Sequence, residues 1–97
     1  MILSKDQSIL DLLSRADLRA KGWVTVDYWE ADLCAIGIRS IRDTGRLVYV
    51  STFRKPRGLF DYECEGSGGV GEPYIVTKSG QDVTFEELLK VLITHLT

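Results

Sequence analysis

Between Trp23 and Lys78 the apolar residues alternate with polar ones in five short runs, and the breaks between successive runs hold two to eight residues each. A period of two is the signature of a strand with one face buried. A parallel return within one sheet needs a crossover of a dozen or more residues, so runs joined this closely must lie antiparallel to their sequence neighbours. The expected strands are Trp23 to Glu30, Leu33 to Arg39, Leu47 to Phe53, Leu59 to Glu65 and Tyr74 to Lys78. The breaks have the chemistry of turns: Ala31-Asp32, Asp43-Thr44-Gly45, Lys55-Pro56-Arg57-Gly58, and the glycine-rich stretch Gly66 to Gly71, with Ser79-Gly80 closing the last strand.

On either side the period changes to that of a helix. Ser4 and Gln7 stand at capping-box spacing ahead of Ile9, Leu10, Leu12, Leu13, Ala16 and Leu18, which predicts a helix from Lys5 to Ala20, ended by Gly22. Thr84 and Glu87 repeat the spacing before Phe85, Leu88, Leu89, Val91, Leu92 and Leu96. Helices this short are marginal alone, so each apolar stripe must be buried against the sheet. The expected fold is α+β: a five-stranded antiparallel meander with an N-terminal and a C-terminal helix packed on one face. Alternation assigns Val24, Val26, Tyr28, Ile36, Ile38, Phe60 and Tyr62 to that face, leaving Trp23, Trp29, Tyr49 and Phe53 for the other. With 97 residues and 44% hydrophobic residues the chain suits one core, and residues 1–97 read as a single domain.

A formal charge of −2 argues against a molecule shaped as a whole to grip nucleic acid or an anionic bilayer. No apolar run reaches the roughly 18–20 residues of a membrane span, and the start Met-Ile-Leu-Ser-Lys-Asp-Gln lacks a basic segment followed by an apolar stretch, so a cytoplasmic location is expected. Cys34 and Cys64, far apart in apolar runs, read as reduced core thiols. Gly66-Ser-Gly68-Gly-Val-Gly71 matches the glycine pattern of a dinucleotide-binding turn, but the chain continues through Pro73 into a strand instead of opening a helix. Glu63, Glu65 and Glu72 would also repel a phosphate there. His95, the one histidine, falls in the last helical turn, where a cation suits the helix dipole. Ser67 lacks the spacing of an esterase elbow. No catalytic, metal-binding or cofactor motif emerges, and none of these groups is expected.

Charge is sorted along the chain. Asp27, Glu30 and Asp32 are the ionised residues of one stretch, and Asp61, Glu63, Glu65 and Glu72 of another; between them lie Arg39, Arg42, Arg46, Arg54, Lys55 and Arg57 against one acid, Asp43. At strand spacing Asp61, Glu63 and Glu65 project from one face about 6.5–7 Å apart. Such a row serves as a solvated face, as an acidic docking surface, or as a hard-cation or paired-carboxylate site. Aromatic side chains interleaved with polar ones are what interface hot spots are built from, and they equally suit a sheet that curls over them with both indoles partly buried.

A compact acidic α+β build, the strand Gly58 to Glu65, the loop after it and the closing helix around Val83 to Leu89 give the chain an outline that resembles the small bacterial immunity proteins of contact-dependent growth inhibition systems. That resemblance carries no diagnostic motif and transfers no functional residue. It implies a protein-binding inhibitor, not an enzyme, whose partner is a cognate protein toxin, often a nuclease, in the cytoplasm. The residues expected to meet such a basic partner are Asp27, Trp29, Glu30, Asp32, Asp61, Glu63, Glu65 and Glu72. The alternative is a nucleic-acid-binding module using Arg39 to Arg57 with Tyr49 or Phe53 as stacking platforms; a third reading is a small enzyme built on the acidic row.

Overall fold

The computed structural model describes residues 4–29, 31–43, 45–67 and 74–97. In order it holds α1 (Gln7–Ala16), α2 (Leu18–Lys21), β1 (Trp23–Val26), β2 (Ala35–Ser40), β3 (Leu47–Ser51), β4 (Phe60–Ser67), β5 (Tyr74–Val83) and α3 (Phe85–Leu96). The five strands form one sheet in the order β1-β2-β3-β4-β5, each antiparallel to the next. The fold is therefore the α+β meander that the pattern of short connections requires.

One face of the sheet carries the core. Ile9 and Leu12 of α1 and Leu88, Leu92 and Leu96 of α3 meet Trp23, Ile36, Ile38, Val48, Val50, Phe60, Tyr62 and Cys64 in a single buried cluster. The leucines of α3 recur every four residues, so all three fall on one side of the helix. Each such side chain contributes about 1.5–3 kcal/mol by leaving water. Thr84 caps α3 through a complete capping box: its Oγ1 accepts from the Glu87 backbone N–H, and the Glu87 carboxylate accepts from the Thr84 N–H.

Three local expectations are corrected. The predicted first helix is two helices, because Asp17 turns left-handed (φ 51°) and breaks it; its cap is Asp6, whose carboxylate accepts from both the N–H and the hydroxyl of Ser8, not Ser4. β1 ends at Val26, short of Glu30. Trp23 pairs with Ser40 and Thr25 with Ile38, which puts Trp23 in the core and Val24 and Val26 on the other face. The alternating run itself did not reveal which of its two sides carries the core.

β5 also runs past Ser79-Gly80 as far as Val83. Gly80 lies opposite Tyr62 within the strand, and a Cβ there would stand 2.4 Å from the Tyr62 ring. That glycine provides a close approach, and the reading of it as a turn is wrong. Just beyond it the pairing slips between Phe60 and Tyr62; Asp82 adopts φ 55°, and its N–H donates to the Asp61 carboxylate. No helix among the described residues is long and apolar enough to cross a membrane.

Candidate functional site

Both long helices pack on the same side, so neither covers the opposite face of the sheet, where Ala35, Gly37, Leu47 and Ser51 are nonetheless buried and Glu63 stands exposed. Register places Gly37, Tyr49 and Glu63 side by side across it, with Ser51 beside Asp61 and Leu47 beside Glu65 in the neighbouring rows. Trp29 folds onto this face from the β1–β2 connection. Its ring centroid lies 4.9 Å from that of Tyr49, and Tyr28 meets its edge at 5.7 Å. Tyr28 is 67% exposed, while Trp29 and Tyr49 are half-buried.

What brings Trp29 there is a buried cation. The Lys5 side chain is 1% exposed, and its ammonium donates to Asp27 Oδ1 (2.9 Å), the Trp29 carbonyl (3.1 Å) and the Asp32 carbonyl (2.9 Å). Asp27 Oδ1 also accepts from the Trp29 N–H, and Asp32 Oδ1 from the Cys34 N–H. Each contact from a carboxylate to the N–H two residues on closes a turn. The Asp6 N–H donates to the Leu33 carbonyl, tying the same loop to the start of α1. These bonds draw the chain out of β1 at Asp27, although the alternation of Asp27 to Glu30 would suit a strand.

Carboxylates surround the aromatic pair. Burial, foremost, raises the Tyr49 phenol above its ordinary pKa; the Ser51 hydroxyl works the other way, and the charges of Asp32, Glu63 and Asp61 add to the rise. A cavity of about 210 Å³ beside the phenol is lined by Ser51, Asp61, Glu63, Ser79 and Gly80 among others. Glu65, next along β4, has its carboxyl raised by burial and then by the charge of Glu63.

The expected docking residues therefore divide. Trp29, Asp32, Asp61, Glu63 and Glu65 share the face opposite the helices. Asp27 is turned to Lys5 and is spent on holding the loop. Asp61 is shared: Lys55 lies 2.8 Å away and also contacts Asp82 at 2.9 Å. Glu63 is exposed, with no ion pair among the described residues. Glu30, Glu72 and most of the stretch Gly66 to Gly71 lie outside the described residues. Tyr49 belongs at the centre of the site although it is not acidic; alternation had assigned it to this face, and the register sets it between Gly37 and Glu63. Lys5 had no signal, because its role depends on a loop more than 20 residues away.

The other candidates fall into structural places. The basic stretch is split by β3: Arg39, Arg42 and Arg46 belong to the β2–β3 end of the sheet, and Arg54, Lys55 and Arg57 to the β3–β4 turn at the opposite end. Phe53 lies exposed in that turn, against the Arg54 guanidinium. The His95 ring Nε2 is 2.9 Å from the Glu65 carbonyl, which ties the end of α3 to β4. Both cysteines are free thiols, Cys64 buried and Cys34 half-buried. Among the described residues no group of three or more His, Cys, Asp or Glu side chains is placed to hold a metal ion. No family model matches the chain, and no curated protein or solved structure matches it.

Proposed function

We propose that this chain is a protein-binding inhibitor that covers a basic surface of a toxin domain, as the bacterial immunity proteins it resembles in outline do. The reading is carried by one observation: the Trp29–Tyr49 pair on the sheet face that the long helices leave free, set among Asp32, Asp61 and Glu63. Half-buried aromatic rings set beside Asp32, Asp61 and Glu63, with Arg39 on the same face and Lys55 on Asp61, have the mixed aromatic and charged composition of a binding hot spot. The carboxylates speed encounter with a cationic partner, and the rings slow its release. The cavity beside Tyr49 has room for the end of a partner's arginine or lysine. Two free thiols suit a reducing compartment and support action in the cytoplasm.

The test is capture of partners on the immobilised chain from its native source, followed by titration of the purified partner. The expected outcome is a basic toxin domain whose dissociation is at least about 30-fold faster from W29A, and whose association with E63Q/E65Q is slower and less sensitive to salt. A partner that binds both variants as it binds the parent would refute the assignment of this face. Separation of the two basic clusters by the length of β3 counts against the nucleic-acid reading, and absence of DNA or RNA binding at low salt would remove it.

A further inference from the structure

On the helix-covered side, away from the acidic face, α3 and β5 flank an open cleft of about 280 Å³. Arg46, Lys78, Lys90 and His95 line it, together with Thr77 and Thr94, and the Cys64 thiol forms part of its wall. No carboxylate among the described residues lines it, in a chain whose formal charge is −2. Three permanent cations from three different elements thus converge on one depression. Lys78 stands opposite Cys64 on β5, Lys90 lies one turn before Thr94 on α3, and Arg46 enters from the end of the β2–β3 hairpin.

The internal bonds leave this charge largely uncompensated. Arg46 is held by Asp43 at 3.4 Å and donates to the His95 carbonyl at 3.3 Å. That second bond covers a carbonyl at the negative end of α3, which would otherwise repel an anion. Lys78 and Lys90 have no ion-pair partner among the described residues. Like charges gathered without a counter-ion are unfavourable, and an anion in the cleft relieves that repulsion while meeting two ammonium groups and one guanidinium.

We propose that this cleft is an oxyanion site for a small phosphorylated molecule. Its volume lies just under the range of drug-sized pockets, which suits a phosphate group and a short remainder. Lys78 and Lys90 supply point charges, Arg46 supplies the guanidinium N–H groups that Asp43 and the His95 carbonyl leave unused, and the Thr94 hydroxyl supplies a further donor. The site is independent of the acidic face, so either reading stands without the other.

The experiment is an amide chemical-shift titration of the whole chain with inorganic phosphate and with pyrophosphate, at ionic strength held constant with chloride. Saturating shifts confined to Thr77, Lys78, Lys90, Thr94 and His95 are expected. K78Q/K90Q, both at exposed positions, should keep the parent spectrum elsewhere and bind each probe about tenfold more weakly or less tightly still. Shifts that never saturate, shifts equally strong in the Arg54–Arg57 turn, or an unchanged affinity in the variant would overturn the proposal.

Discussion

Replacing Lys5 by methionine should separate the loop that carries Trp29 from the body of the molecule. Methionine keeps the apolar stem and removes an ammonium that makes three short hydrogen bonds, at 2.9, 3.1 and 2.9 Å. Breaking a buried ion pair by deleting one partner costs about 3–5 kcal/mol. Asp27 retains 22% of its side-chain exposure, so water recovers part of its solvation, and a loss of roughly 2–4 kcal/mol is expected. That is a large share of the ~5–15 kcal/mol that holds a domain together, and it corresponds to a fall of about 8–32 °C in Tm. Urea unfolding followed by circular dichroism measures it, with D27N and K5M/D27N completing a double-mutant cycle. A coupling of about 1–3 kcal/mol between the two residues is expected. Native Trp29 fluorescence should also shift to the red as the loop loosens. A K5M variant within about 0.5 kcal/mol of the parent, or additive single losses, would refute the claim that this ammonium organises the site.

Three further outcomes are expected. Gly80→Ala places a methyl 2.4 Å from a Tyr62 ring that is 6% exposed, so it should cost about 1–3 kcal/mol in urea unfolding, whereas Gly66→Ala, whose Cβ meets Thr77 at 3.6 Å, should not. Equal effects would disprove the close approach. Burial, then Glu63, holds the Glu65 carboxyl above its ordinary 4.5, so the folded chain keeps that proton to higher pH than the unfolded one. The two states do not differ at acid pH, and stability is lost as pH rises from 4.5 through the raised value of the folded chain. Glu65→Gln should therefore raise the urea midpoint at neutral pH and leave it unchanged near pH 3, and a gain of equal size at both would contradict this account. Finally, Glu63→Gln should lower the pKa of Tyr49 in an ultraviolet titration; an unmoved phenol would show that the carboxylate does not face it.

The sheet was legible because its evidence is local. Each strand had its own alternation, and each short connection left one direction for the next strand. Thr84 and Glu87 were legible for the same reason: a capping box is complete within four residues. The misreadings share the opposite cause. Asp17 breaks the first helix with neither glycine nor proline to signal it. Trp23 and Val24 exchanged faces because alternation fixes two sides without saying which meets a helix. Gly80 has the composition of a turn, and only the Tyr62 ring across the strand pair explains it. At the site, the acidic row on β4 followed from spacing, whereas the fate of Asp27 and Asp61 did not, since Lys5 and Lys55 are 22 and six residues distant in sequence.

Gly37 has a wider consequence. A side chain there would come within 3.0 Å of the Trp29 ring and 2.8 Å of Leu47, so the bare backbone forms a notch in which the indole is seated before any partner arrives. The rotational freedom of that ring is given up during folding and need not be surrendered at encounter. If the proposed binding face is right, a surface prepared in this way would meet a partner as a rigid template, with a grip set by how well the opposing shape already fits.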